Sequence, residues 1–576
     1  MNISFVGRVR SLLATGMILL GSASCVNIDE SLGENFIPHD QIWDVYPCDN
    51  VTLTDITMKP ARNMSGYSTR RFTFGAVKDQ RFTTSKSTSF TLVPLMDTLD
   101  FGKKVNGYPK VTQFHLTAIR DTVSMVFDNQ ERILQNVYVN SLREPVDSTS
   151  LYADDPKFQI KEGYITKGIP IYDGGDSLSF DFSEEYALAV IEGIEEFQKL
   201  DGEKRDSLKC YIEKVPGIVI STDEQTEIGG RINMFNLTIQ TESGYVTGNY
   251  AELKFQGIYE DSDEPVDTSF LFFFGPSDFL KDDDTTYPAQ YAFNAGTHTS
   301  TENVTDQKEC IYVEGGSGLK PVISAIEIKR IVSELVEAEI AAGKDIDIST
   351  VVINKATIVL PYNVGGDYDK LNRYPAMLSP TVVLSGETGE GETYYTFAGL
   401  TDSSIESENH GDINRSLNMY CPDITHHVQE IANLTPEEGE DEASFKERVG
   451  KYDVWMLIMH EEITETSTDT GYDDYYNNLL YNSYYNNMMY DPYGYGYGYG
   501  YGGYGYGGYG GYGYDNYYNY YMMAAYASAS SSSSTSSSSL ELDKDRYYDA
   551  VLNGPEYNGS KPSLKITFSA LKNPKE

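Results

Sequence analysis

The sequence predicts a mainly β protein with a few helices: two tandem β-sandwich, jelly-roll-like domains plus a disordered Tyr/Gly/Ser-rich loop. Three observations predict it. Apolar and polar residues alternate at period two in many short stretches bounded by turn-forming clusters. Stretches with helical periodicity are few. The order strand, strand leading into a helix, strand, strand occurs once in each half, without detectable residue identity. Two sequential β domains without duplication would give the same order. The boundaries expected are 1–24 for a signal peptide, 25–50 for a linker and 51–290 for the first sandwich. The second sandwich takes 291–472 and 541–576, split by a low-complexity insertion at 473–540.

Length and composition bound the reading. At 576 residues the chain has room for three or four domains of about 150 residues, and low-complexity sequence lowers that number. Hydrophobic residues make up 40%, and the mean hydropathy of −0.40 suits a soluble folded body. The formal charge is −42, and losing Arg8 and Arg10 with a signal makes it −44. Such a field repels phosphate backbones and anionic headgroups, which excludes nucleic acid as a partner. Cys25, Cys48, Cys210, Cys310 and Cys421 are the five cysteines. Their wide spacing is far from a disulfide framework, and sequence leaves open whether the last four pair.

The chain opens on Met1–Cys25. Arg8 and Arg10 give a positive start, and Leu12 to Leu20 is an apolar run too short to span a bilayer as a helix. Gly21-Ser22-Ala23-Ser24 supplies small residues at a cut site, as an export signal requires. The cysteine directly behind them makes this resemble a bacterial lipoprotein signal, with Cys25 acylated as the mature N-terminus. Ser22 stands where such signals prefer Leu, so ordinary secretion with cleavage near Ala23 or Ser24 is the alternative. Membrane attachment is then expected through the lipid anchor, since two or more acyl chains hold stably where one does not. Asp29 and Glu30 just behind the cysteine resemble the surface-export signal of Bacteroidota lipoproteins; a solvated acidic linker is the alternative.

Strands are expected at Val111–Ile119, Val123–Phe127, Val137–Val139, Leu178–Phe182, Pro216–Ser221, Ala251–Tyr259 and Phe270–Phe274. The second half supplies Ile311–Val313, Val351–Leu360, Tyr420–Ile424, Tyr452–His460 and Ser563–Ser569. A helix is expected from Glu184 to about Leu200, with Ser183 as N-cap and Tyr186, Val190, Ile194 and Phe197 on its apolar stripe. A second runs near Ser324–Ala342, with Ile328, Ile331, Leu335 and Val336 on one face. A third covers Thr425–Leu434, capped by Asp423.

Asp473 to Ser539 is compositionally separate: Tyr/Asn/Met-rich, then alternating Tyr-Gly from Tyr493 to Tyr514, then a serine tract. Glycine entropy and missing aliphatic residues argue against a packed core. With Tyr452–His460 and Ser563–Ser569 expected in one sheet, the segment is a long loop, whose closure costs only logarithmically in its length. Its tyrosines could stack on sugar rings or aromatic chains; a repeat-expanded loop with no dedicated ligand is the alternative.

The chain offers little recognisable chemistry. Gly315-Gly316-Ser317-Gly318 is followed by Leu319, so the nucleophile-elbow pattern fails. These glycines, and Gly229-Gly230, are read as tight turns supplying positive φ. His460-Glu461-Glu462 lacks the second histidine of a zincin helix. His426 and His427 are adjacent, so on a helix they diverge by about 100° and share a metal poorly. Asp261–Glu264 and Asp282–Asp284 lack the pattern of a calcium loop. No pair among 86 acidic residues stands out as a glycosidase pair.

Several stretches together resemble one family. They are Leu32–Pro38, Phe74–Phe82, Pro216–Ile220, Gly229–Ile232, Phe293-Asn294, Ile311–Gly318 and Ile353–Pro361. This combination is similar to a lipoprotein family of Bacteroidota catalogued only as a domain of unknown function, over most of the mature chain but not the Tyr/Gly/Ser insertion. The resemblance implies an outer-membrane, lipid-anchored location exposed at the cell surface, and carries over no catalytic residues. Asp423–Gln429, Tyr452–His460 and Pro562–Phe568 are also similar to β-sandwich modules of surface and carbohydrate-binding proteins, a fold-level analogy. The expectation is therefore a non-enzymatic, surface-exposed outer-membrane lipoprotein, a scaffold or accessory subunit of an envelope β-barrel machine. A glycan- or surface-binding lipoprotein is the alternative, and a hydrolase ranks third. Cys25 lipidation is the one site assigned. No catalytic residue, metal or cofactor is expected, and the expected partners are the membrane, an outer-membrane β-barrel protein and polysaccharide.

Overall fold

The computed structural model describes residues 43–572 except for 466–535, 275–291 and short stretches. These are 63, 69–70, 95–97, 122–124, 127–132, 145, 147–151, 155–158, 203–207, 216, 238–239, 243–244, 260–263, 301–306, 388–392 and 406–407. The protein is mainly β, and every strand pairing among the described residues is antiparallel. Antiparallel sheets tolerate one wet face, which is why the period-two pattern was readable.

The first sandwich packs an eight-stranded sheet against a five-stranded one. The larger runs 138–141, 218–221, 82–90, 71–78, 229–236, 125–126, with Ala292–Ser300 also paired along Phe82–Phe90. The smaller runs 177–181, 110–119, 250–257, 266–273, 93–94. Phe72 and Phe74 from one sheet meet Phe114, Leu116 and Phe272 from the other in a single aromatic-rich core. The helix Glu184–Phe197 lays Tyr186, Val190, Ile194 and Phe197 on that core, and Ser183 Oγ accepts from Tyr186 N at 3.2 Å, as an N-cap should. A short helix, Leu208–Lys214, was not apparent in the sequence.

The second sandwich pairs the sheet 43–52, 563–571, 352–361, 419–420, 413–414 with the sheet 56–60, 319–323, 454–465, 377–387, 393–399. Ser536–Leu542 adds to the latter along Val454–Glu465, and Cys310–Glu314 forms a ribbon with Asp549–Asn553. The helix Ala325–Ala341 starts at Ser324 and buries Ile328, Ile331 and Val336 on the second core.

Strand pairing redraws the expected boundaries. Trp43–Thr52 pairs with Ser563–Leu571, and Ile56–Pro60 with Leu319–Ile323, so the first described strands belong to the second sandwich rather than to a linker or the first domain. Ala292–Ser300 belongs to the first sandwich. The serine tract ends in the strand Ser536–Leu542, so the insertion stops short of residue 540. Val454–Glu465 and Ser563–Leu571 lie in different sheets, while the strand that closes the insertion is the direct neighbour of the one that opens it. These pairings join residues hundreds of positions apart, and local periodicity carries no information about such partners.

Gly229 and Gly230 also differ from expectation. They open the strand Gly229–Asn236 instead of forming a turn. Gly230 has φ +113, and a Cβ there would sit 2.1 Å from Ala76 O; two residues along the same pairing, a Cβ on Gly75 would sit 2.2 Å from Arg231 O. Two backbones meet here with no room for a side chain. Gly230→Ala should therefore cost roughly 3 kcal/mol or more in denaturant unfolding. Gly107→Ala, at positive φ with open space around it, should cost about 1 kcal/mol. Equal costs would show that conformation alone, not close approach, fixes Gly230.

Candidate functional site

The strongest concentration of buried charge lies where the two sandwiches meet. Phe82–Phe90 and Ala292–Ser300 are neighbours, so Lys86 and Asn294 stand close together on the first sandwich. Lys86 Nζ donates to Lys544 O at 2.9 Å and lies 3.3 Å from Asp545 Oδ1, while Asn294 Nδ2 donates to Asp545 Oδ2 at 3.2 Å. One strand turn further, His298 Nε2 donates to Glu314 Oε2 at 2.8 Å, and Ser300 Oγ donates to the same oxygen at 3.2 Å. Glu314 is fully buried. Burial alone would raise its pKa, but the His298 hydrogen bond and charge outweigh it and hold the carboxyl below its usual range. Arg81 completes the seam by pairing with Asp549 and lying 4.2 Å over the Tyr312 ring.

Lys320 sits behind Glu314, fully buried. Its ammonium donates to the carbonyls of Glu314, Gly316 (2.9 Å) and Gly318 (3.1 Å). The Gly315–Gly318 quartet is thus a cradle for an ammonium group. Burial pushes the Lys320 pKa down to about 7, against the opposing charge of Glu314. Lys544 is likewise lowered by burial, to about 8, and donates to Ser65 O at 2.7 Å and to Tyr67 O.

A second cluster surrounds the helix Thr425–Asn433. Asp423 is not its cap. Its carboxylate instead accepts from Lys355 Nζ and Thr357 Oγ1, both at 2.8 Å, and from Asn409 N at 2.9 Å. The first amides of the helix, His426 N and His427 N, donate to Asp402 at 2.8 and 3.1 Å. Asp402 lies on the turn Thr401–Ser404, a residue that sequence distance hid. His427 is buried and donates from Nε2 to Tyr452 O at 2.8 Å, and burial lowers its pKa. His426 is exposed, so the two imidazoles diverge as the helical geometry requires. One ligand atom each from Asp402, Glu408 and His426 lies within 4.8 Å of the others. Burial, then the charge of Asp402, raises the pKa of Glu408.

A third feature is an exposed polar and aromatic ladder at the edge of the eight-stranded sheet. Tyr138 and Tyr164 stack at 5.2 Å, and Asp223 accepts from Tyr138 OH at 2.6 Å and from Asn136 Nδ2 at 2.7 Å. Leu134, Tyr164, Ile169 and Ile171 are exposed as well, Ile171 in a two-stranded ribbon with Gln135–Asn136.

The sequence-assigned residues fare unevenly. Cys25, residues 261–263, Asp282–Asp284 and 473–535 lie outside the described residues. Cys310 and Cys421 are half-buried thiols whose pKa burial raises. Cys48 lies in the second sandwich and Cys210 in the first. His460 is mostly buried, 4.0 Å from Asp543. Among the described residues no helix is long and apolar enough to cross a membrane. The seam residues were missed, although Lys320 within Leu-Lys-Pro-Val-Ile and Glu314 after Ile-Tyr-Val carry a signal: charges inside apolar strands. Compared with known protein families, curated proteins and solved structures, the chain matches none. The family resemblance therefore rests on the residues quoted for it.

Lys86→Met or Asp545→Leu alone should cost about 3–5 kcal/mol, because each leaves a buried charge without its partner. The double variant should cost clearly less than the sum. Additive losses in denaturant titrations would mean that the pair is not coupled. Lys320 binds its proton less tightly folded than unfolded, so its burial opposes folding at and below pH 7 and that opposition fades as pH rises toward the unfolded value. The stability of wild type relative to Lys320→Met should therefore climb from pH 7 to pH 10, with a slope of up to about 1.4 kcal/mol per pH unit. A flat difference would place the folded pKa near the ordinary lysine value.

Proposed function

We propose that the chain is a non-enzymatic, surface-exposed outer-membrane lipoprotein, serving as a scaffold or accessory subunit of an envelope β-barrel protein machine. The observation that carries this reading is the seam. Lys86, Arg81, Asn294 and His298 of one sandwich bond Asp545, Asp549 and Glu314 of the other, so these buried charges hold the two sandwiches together as one body. A bonded pair of sandwiches suits a protein that offers surfaces. The export signal, Cys25 and the acidic residues behind it support the address. Attachment at Cys25 would deliver the chain to Trp43, where the second sandwich begins, over at most about 60 Å of extended chain.

A second reading, glycan binding, is favoured by the ladder of Asn136, Tyr138, Tyr164 and Asp223. An exposed aromatic ring beside amide and carboxylate groups can stack on a sugar face and bond its hydroxyls.

Mild-detergent capture of the tagged native protein from its own outer membrane, read by mass spectrometry with Cys25→Ala as control, tests both readings. A β-barrel partner recovered in near-stoichiometric amount, and lost with Cys25→Ala, is the expected result. A lipidated protein that brings down no membrane partner would end the scaffold reading. Polysaccharide binding that Tyr164→Ala abolishes without lowering the melting temperature would then establish the second.

A further inference from the structure

We propose that Asp402, Glu408 and His426 bind a divalent transition-metal ion of the Zn2+ class. Asp402 comes from the turn Thr401–Ser404 and His426 from the first turn of the helix Thr425–Asn433, and Glu408 stands beside both. Two carboxylate oxygens and one imidazole nitrogen lie within 4.8 Å of one another, close enough to draw in around bonds of about 2.0–2.2 Å.

A second observation, independent of the spacing, points to a ligand. Glu408 Oε2 is sealed from solvent and, among the described residues, has no hydrogen-bond donor. A buried carboxylate oxygen left this way is costly, and its surroundings compound the cost. The charges acting on Glu408 include two further carboxylates, Asp402 and Asp423, opposed by Lys355 and His426. The cation of the cluster, Lys355, is engaged 2.8 Å from Asp423 Oδ2. A dication between Glu408 and Asp402 supplies the missing partner and removes the repulsion at once.

The remaining contacts suit such a site. The positive end of a helix would oppose a cation, but here the Asp402 carboxylate stands in front of it, taking both first amides and leaving lone pairs for a metal. Those amides fix the carboxylate as outer-shell donors commonly do. One imidazole with two carboxylates selects a borderline ion over Ca2+ and Mg2+, which prefer all-oxygen shells. Water would fill the other positions. The ion would pin Glu408 to the helix, a role separate from the scaffold reading.

The test uses the full chain, stripped with chelator and titrated calorimetrically with ZnCl2 and with CaCl2. One zinc should bind per chain, at least ten-fold tighter than calcium. Glu408→Gln and His426→Ala should each weaken zinc at least ten-fold, while apo melting temperatures stay unchanged or, for Glu408→Gln, rise. The Co2+-loaded protein should show no thiolate charge-transfer band. Zinc binding that survives both variants, that carries a thiolate band, or that is absent while Glu408→Gln still raises the apo melting temperature would overturn the proposal. In the last case a shared proton, not a metal, relieves Glu408.

Discussion

Lys86, Asn294 and Asp545 share a space from which water is largely excluded, and both sandwiches are arranged so that these groups keep their partners. Removing an ion from water costs several kcal/mol, and only a well-placed counter-charge with further hydrogen bonds offsets it. Each partner comes from the opposite sandwich. Sliding one domain over the other by a single residue would therefore strand Lys86, Glu314 and Arg81 together. An apolar interface of the same area could hold as firmly but would tolerate many docked positions. The charged seam sets which position is allowed, and its contribution is better described as registration than as net stability.

The threading of the chain makes that registration necessary. The first described strand, Trp43–Thr52, pairs with the last, Ser563–Leu571, with Trp43 opposite Leu571. The first sandwich is thus inserted between two strands of the second and tied to it at both ends. Glu327 shows how the crossing is held: its buried carboxylate accepts from Thr54 N at 2.7 Å and Asp55 N at 2.8 Å, between the two N-terminal strands. The second insertion, 466–535, separates two strands that are immediate neighbours, so closing it requires only that its ends meet. Pairings of this sequence separation are slow to form, and a misdocked intermediate would bury the seam's charges without partners.

What could be read from the sequence follows from the range of each interaction. A helix cap acts over three residues, and the one at Ser183 was legible, whereas Ser324 was read only as the start of its helix and caps it in the structure. Strands showed through the alternation at Val111–Ile119 and Leu178–Phe182, where one face is buried. The Asp423 cap failed because an acid from the turn at Asp402 occupies those amides, 24 residues before His426. The glycine pairs were recognised as needing positive φ, yet their reason, a backbone meeting at Gly75 and Gly230, depends on register and not on a turn. Domain boundaries and the seam are set by strand order alone. The identity of Lys320 was visible inside an apolar strand; what it would bond was not.

Lys320 also decides how the perturbed groups of this molecule should be understood. A buried lysine with pKa about 7 ordinarily suggests chemistry, because a neutral amine is a nucleophile or base. That role requires a lone pair directed at a reactant. Here three carbonyls of Glu314, Gly316 and Gly318 receive all three N–H bonds the ammonium can offer. Those bonds favour the protonated form and wrap the nitrogen in backbone, so the lone pair left when the proton goes faces carbonyl oxygens and no substrate. The glycines matter for the same reason: a Cβ at Gly315 would come within 2.4 Å of Arg546 O, across the turn that carries Lys544 and Asp545. The loop, the ammonium and the seam are one construction, and the low pKa measures the cost of burying it.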